Sequence, residues 1–172
     1  MFLNLKEYFQ PDYHFNCMSE INSNLFRDSK IKGIIIDIDN TTMAYSSKEF
    51  KIVIQDWIKE IDNKNFEIVF VSNTVPERAE FVSKYFNKPA YGYAAKPFRF
   101  AFNRAINEMN LSNENIAIIG DQIFTDILGG NRAGFMTILV EPIESKDFFL
   151  TGIFRWFEAL FFDRNKSLMQ KE

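Results

Sequence analysis

The chain has 172 residues, enough to bury a core as one domain without disulfide or metal support. Its net charge of -3 and pI near 5.3, with no clustered run of Lys or Arg, argue against a nucleic-acid partner. A single cysteine, Cys17, and a single histidine, His14, exclude a disulfide framework and a zinc finger.

Both residues read as structural or incidental. A cysteine-based phosphatase would need an arginine six positions after its cysteine, and that position is Ser23. The opening MFLNLKEYFQ lacks the pattern of a signal peptide, and the longest apolar runs fall short of the roughly 20 residues that span a bilayer, so a cytoplasmic location is expected.

In chain order, residues 1 to about 30 read as a helical lead-in. Gly33 to Asp37 is an isoleucine-rich run without polar alternation, the pattern of a strand covered on both faces. Phe50, Val53, Ile54, Trp57, Ile58 and Ile61 share one helix face, and Ser46 with Glu49 predicts a capping box in front of them. Ile68 to Ser72 is a second buried strand, and Pro76 suits the first turn of a helix reaching Phe86.

Tyr91 to Ala95 is a weak strand, after which Pro97 is expected in the first turn of a helix reaching Met109. Ile116 to Gly120 and Met136 to Val140 are further strands, separated by a helix from Phe124 to Arg132 that stops at Gly134. The alternation predicts an α/β fold, a mostly parallel sheet with helices on both faces and ligands bound beyond the carboxyl ends of the strands. No repeat or Pro/Gly/Ser-rich linker divides it, so residues 1–172 are expected to form one domain.

The polar residues that interrupt this pattern sit at those strand ends. The first strand runs into Asp37-Ile38-Asp39-Asn40-Thr41, with two carboxylates two residues apart. The second ends in Ser72-Asn73-Thr74, a hydroxyl beside the backbone N–H groups of a helix start, which suit an anion. Lys96 follows the weak third strand, and Gly120-Asp121-Gln122-Ile123-Phe124-Thr125-Asp126 closes the fourth with a second acidic pair. Each feature alone has an ordinary explanation as a turn, a cap or a solvated side chain. In this order, at successive strand ends, they form a set.

That set resembles the four motifs of the haloacid dehalogenase (HAD) superfamily: hhhhDxDxT, hhh[ST], a lysine and GDxxxxD. More narrowly, GIIIDIDNTT, VSNT, AAKP and GDQIFTDILGGNRAG followed by TILVEPI are similar to the YqeG family of subfamily IIIA, over about Pro11 to Glu158. Thr42 departs from the apolar residue usual after the DxDNT run. The resemblance implies a Rossmann-like HAD fold and a Mg2+-dependent phosphatase working through a phospho-aspartate on Asp37.

It further implies that Asp39 is the general acid and base, that Ser72 and Lys96 bind phosphoryl oxygens, and that Asn40, Thr41 and Asn73 shape the phosphate loop. Asp37, the backbone carbonyl of Asp39 and Asp121 would hold Mg2+, with Asp126 orienting a metal-bound water or Lys96. These roles agree with what phosphoryl transfer requires: an in-line nucleophile, neutralised oxygens and a proton for the leaving group.

Haloacid dehalogenases of this fold lack a carboxylate where Asp39 stands, because halide leaves without a proton, so dehalogenation is not expected. A receiver-type phosphoacceptor uses similar groups, but its lysine follows the last strand, whereas Lys96 precedes Asp121. The other non-enzyme alternative is a binding or scaffold protein on an inactive HAD fold.

Many HAD enzymes insert a cap domain after the first motif or between the second and third. Thr42 to Val71 is filled by a helix and a strand, and Ser72 to Lys96 by a helix and a short strand, so no cap domain is expected. An open site favours a phosphate carried on something large. From Phe148 to Phe162, 11 of 15 residues are apolar, and Asp147, Thr151, Arg155 and Glu158 fall on one narrow arc of a helical wheel.

Residues from about 147 to 163 are therefore expected to form an apolar helix that packs on the core, contacts a second copy or lies in a membrane surface. The YqeG family resembles the phosphatidylglycerophosphate phosphatases of mitochondria and plastids, which makes that lipid the leading expected substrate. A phosphoprotein or a sugar phosphate are the alternatives, and a peripheral contact with the inner face of a membrane would accompany the lipid.

Overall fold

In the computed structural model, which describes residues 5–144, six strands form one parallel sheet in the order β1-β6-β5-β2-β3-β4. The strands are β1 (Tyr13–Phe15), β2 (Gly33–Ile36), β3 (Glu67–Val71), β4 (Ala90–Tyr91), β5 (Ile116–Gly120) and β6 (Met136–Val140). The helices are α1 (Ser23–Asp28), α2 (Ile52–Asn63), α3 (Pro76–Phe86), α4 (Asn103–Met109) and α5 (Leu128–Ala133).

Successive side chains of a strand point to opposite faces, and the core divides accordingly. Ile34 and Ile36 of β2 pack on one face with Phe26 of α1, Ile54, Trp57 and Ile61 of α2 and Val82 of α3. Ile35 packs on the other with Ala105 and Met109 of α4 and Ala133 of α5. Strands covered on both sides cannot alternate apolar with polar residues, which is why β2 reads as an unbroken isoleucine run. Among the described residues no helix is long and apolar enough to cross a membrane.

Several boundaries differ from those the sequence suggests. The lead-in expected to be helical also holds β1, which extends the sheet by pairing with β6 (Tyr13 beside Ile138, Phe15 beside Val140). His14, in β1, is buried and its Nε2 lies 2.7 Å from Glu141 Oε1, a structural role.

The capping box in front of α2 is absent. Glu144 takes both the amide and the hydroxyl of Ser46, so the helix starts later, at Ile52, behind Lys51 with no side-chain cap. Phe50 still enters the core against Phe86, but Val53 faces solvent.

Pro97 precedes its helix instead of opening it. Phe98 is extended and a 3-10 turn, Arg99–Phe102, leads into α4. The side chain of Asn73 holds both the N–H and the C=O of Lys96, which fixes this stretch before the helix can begin. Segment 147–163, expected as an apolar helix, lies outside the described residues.

Candidate active site

The central strand β2 pairs in register with β3 on one side and β5 on the other, so that Ile36 lies beside Phe70 and Ile119. The residues that follow these strands therefore emerge side by side at the carboxyl edge, where the chain order of the sheet reverses and ligand crevices form. The Asp37 amide donates to Ile119 O at 2.9 Å and the Ser72 amide to Tyr91 O at 3.0 Å, which carries the pairing up to the edge itself. A cleft of about 540 Å³ opens there, lined by Asp37, Asp39, Ser72, Arg78 and Lys96 among others.

Its floor is a buried charge cluster. Lys96 Nζ lies 2.6 Å from Asp37 Oδ1 and 2.5 Å from Asp126 Oδ1. Carboxylate oxygens of Asp37, Asp121 and Asp126 come within 4.8 Å of one another, and all four residues are almost completely buried. One cation thus serves several carboxylates.

Burial pushes the Asp126 carboxyl up to about 6, since Lys96 only partly offsets the lost hydration and the charge of Asp37 adds to it. Burial alone would lower the Lys96 ammonium, but Asp126 and Asp37 outweigh it and hold it above its ordinary range. A set of close, hard carboxylate oxygens with uncompensated charge fits a small divalent cation, with Asp37 and Asp121 as ligands.

The sequence places Asp126 four residues beyond its hydrogen-bond donor Gln122, inside a π-turn, Ile123–Ile127. Such turns widen the helix and recur at functional sites. Here the turn lets the Asp126 side chain fold back over Gly120, where a Cβ would stand 2.2 Å from the Asp126 carboxyl. No residue other than glycine fits that approach.

The loop after β2 is fixed residue by residue. Asn40 adopts a left-handed conformation (φ 59°), and its side chain accepts from the Tyr45 amide at 3.3 Å. The Thr41 hydroxyl donates to Asp121 Oδ1 at 3.3 Å. Thr42, the departure from an apolar residue, is fully buried and donates its hydroxyl to the Asp37 carbonyl at 2.6 Å, so it steadies the backbone of Asp37.

Ser72 Oγ accepts from the Thr74 amide at 3.3 Å. Asn73 lines the cleft, yet its amide group is committed to Lys96: Nδ2 donates to Lys96 O at 3.0 Å and Oδ1 accepts from Lys96 N at 2.8 Å. Asn40, Thr41 and Asn73 therefore act on the shape of the site through the backbone and side chains they hold.

Asp39 sits apart from the buried cluster. Its Oδ1 accepts from Arg78 Nε at 2.6 Å, while Arg78 Nη1 and Nη2 donate to Ser47 O and Ala44 O, both at 2.7 Å. Burial and the nearby Asp37 raise the Asp39 carboxyl above its ordinary range, and Arg78 and a hydrogen bond from Thr74 only partly offset this.

The structure thus brings Asp37, Asp39, Asn40, Thr41, Ser72, Asn73, Lys96, Asp121 and Asp126 to one strand edge, and adds Arg78, which the motif reading missed. One local signal existed. Arg78 lies in the first turn of α3, where the helix dipole mildly disfavours a cation, a position that an anionic partner from elsewhere in the chain offsets.

Comparison with known proteins points one way. A family profile described as "Mitochondrial PGP phosphatase" matches residues 1–88, and one described as HAD-hydrolase-like matches residues 93–142. The "Probable phosphatase YqeG" of Bacillus subtilis (strain 168) is 36% identical over 154 residues, covering 90% of each chain.

Two solved structures share the fold at low identity. One is the cobalt-bound deoxy-D-mannose-octulosonate 8-phosphate phosphatase (YrbI) of Haemophilus influenzae, with TM-score 0.52 and 13% identity over 84% of this chain and 95% of that one. The other is a predicted HAD-like family hydrolase of Porphyromonas gingivalis, with TM-score 0.55 and 13% identity over 74% of this chain and 98% of that one.

Proposed function

The chain belongs to the YqeG family of HAD-type phosphatases, and from that premise we propose that it hydrolyses phosphomonoesters through an acyl phosphate on Asp37, with Mg2+ as cofactor. The observation that carries this reading is the buried cluster of Asp37, Asp121 and Asp126 around the Lys96 ammonium at the floor of an open cleft. In the first step an Asp37 carboxylate oxygen attacks phosphorus and the bond to the leaving oxygen breaks, while the Asp39 carboxyl gives that oxygen its proton. In the second, Asp39 takes a proton from water as the water oxygen attacks phosphorus and the bond to Asp37 breaks.

The raised Asp39 carboxyl suits a group that must be protonated in one step and ionised in the next. Lys96 and the Ser72 hydroxyl bind the phosphoryl oxygens, and the Lys96 ammonium offsets part of their charge. Mg2+, held by Asp37, Asp121 and the Asp39 carbonyl, would neutralise the remaining charge between carboxylate and phosphate.

For the substrate we favour phosphatidylglycerophosphate. The description of the profile matching residues 1–88, the cap-free cleft and the apolar sequence of Phe148 to Phe162 support it. A peripheral attachment to the inner face of a membrane goes with that substrate.

A phosphate-release screen with Mg2+ tests both parts, using a chromogenic ester, sugar phosphates, a phosphopeptide and phosphatidylglycerophosphate in detergent micelles. The lipid is expected to give the highest kcat/KM, and Asp37→Asn to abolish release from every substrate while leaving the protein folded. Release by Asp37→Asn at the wild-type rate would falsify the mechanism. A soluble ester preferred tenfold over the lipid would overturn the substrate alone.

A further inference from the structure

We infer that Arg78 is the positioning residue for Asp39, holding its carboxyl in the orientation that delivers a proton to the leaving oxygen and tying that orientation to the closure of the loop that follows β2. The inference rests on the reading of Asp39 as general acid.

Three guanidinium nitrogens each meet one acceptor: Asp39 Oδ1 at 2.6 Å, and the carbonyls of Ser47 and Ala44 at 2.7 Å. The ion pair is largely shielded, with the two side chains only 13% and 16% exposed. Arg78 stands on α3, whose Ala79 and Val82 are buried in the core, so its base does not drift.

The loop carries its own brace, a bridge between Asp39 and Met43. Where a cap domain could be inserted, this chain has a short loop fastened from outside by one arginine. The guanidinium presents these donors on three separate nitrogens in one rigid plane, whereas the three donors of a lysine share a single nitrogen and cannot span the same acceptors in this arrangement.

The bond to Oδ1 also assigns the proton. Arg78 gives its N–H to Oδ1, so in the acid form the transferable hydrogen resides on Oδ2. On phosphoryl transfer, the bond between phosphorus and the leaving oxygen breaks, the bond to Asp37 forms, and the Oδ2 proton passes to the departing oxygen. Without Arg78 the carboxyl can rotate and either oxygen can carry the proton, so fewer encounters are productive.

Leaving groups separate this role from a structural one. A nitrophenolate departs without a proton, whereas an alkoxide needs one. The measurement is kcat/KM, which reports the first transfer step, for p-nitrophenyl phosphate and for an alkyl phosphate of similar size, in the full chain with Mg2+. For Arg78→Ala the loss on the alkyl ester should exceed that on the aryl ester at least tenfold, and Arg78→Lys should fall between it and the wild type.

Asp39→Asn is the control and should show the same selectivity more strongly. If Asp39→Asn loses both esters equally, the assignment of Asp39 as acid fails. If Asp39→Asn is selective but Arg78→Ala loses both equally or neither, Arg78 merely fastens the loop and the inference is overturned. Thermal melting monitors the fold. Should Arg78→Ala not fold, Arg78→Lys decides by the same criterion: a selective loss supports the inference, and a uniform loss or none overturns it.

Discussion

Gly120→Ala should disable this protein through a side chain six residues away. A Cβ at position 120 would lie 2.2 Å from both Cγ and Oδ2 of Asp126 and 2.6 Å from its Cβ. Asp126 has nowhere to retreat, being 0% exposed in a π-turn whose Ile123 and Ile127 are equally buried. Either the turn moves or the carboxylate leaves Lys96 Nζ, 2.5 Å away, and the Gln122 amide, 3.2 Å away.

Overpacking of this kind costs roughly 1–3 kcal/mol, and breaking a buried ion pair roughly 3–5 kcal/mol. Lys96 keeps Asp37, so the sum should stay at roughly 2–5 kcal/mol, a fall in Tm of roughly 4–20 °C for a chain of this size. Turnover of a chromogenic ester should fall at least tenfold, because Lys96 is no longer held from both sides.

The sharper test is a double-mutant cycle with Asp126→Ala, which removes the atoms that the new methyl group meets. The double variant should be at least about 1 kcal/mol more stable than the two single changes sum to. Additive losses, or a Gly120→Ala protein that melts and turns over like the wild type, would refute the argument.

Two further outcomes follow from the charge cluster. Chelation with EDTA should abolish phosphate release and Mg2+ restore it, and in the absence of substrate saturating Mg2+ should raise the Tm of the wild type. At a hundredfold excess over Kd, binding adds about 2.7 kcal/mol of stability, and Asp121→Ala should lose most of it; turnover persisting in excess chelator would sink the assignment.

In metal-free buffer, the folded state binds more protons at Asp126 than the unfolded state between 3.8 and about 6. Stability therefore falls as pH rises through that window, by up to roughly 3 kcal/mol from this group. Urea midpoints of the wild type and Asp126→Asn compared from pH 4 to 7 should diverge by that slope, and parallel curves would contradict it.

Local pattern was enough wherever a segment's own residues decide its state. β5 and β6 begin and end where the apolar runs of Ile116 to Gly120 and Met136 to Val140 do, and α3 runs from Pro76 to Phe86, because buried strands exclude polar residues and a proline is at home in a helix's first turn. The strand-length runs located Asp37, Ser72 and Asp121, since a parallel sheet delivers each strand end to one edge, whereas the strand expected over Tyr91 to Ala95 is Ala90–Tyr91, and Lys96, five residues past its end, is set by Asn73.

Tertiary structure decided what no window of sequence contains. The three residues of β1 have no period of their own and are a strand only through pairing with β6, more than a hundred residues on. Ser46 could have capped α2, but Glu144 reached it first. Asn73 holds Lys96 across 23 residues, and Arg78 finds Asp39 across 39. In each case the partner is distant in the chain, and the hydrogen bond that fixes the geometry exists only once the sheet has brought the two together.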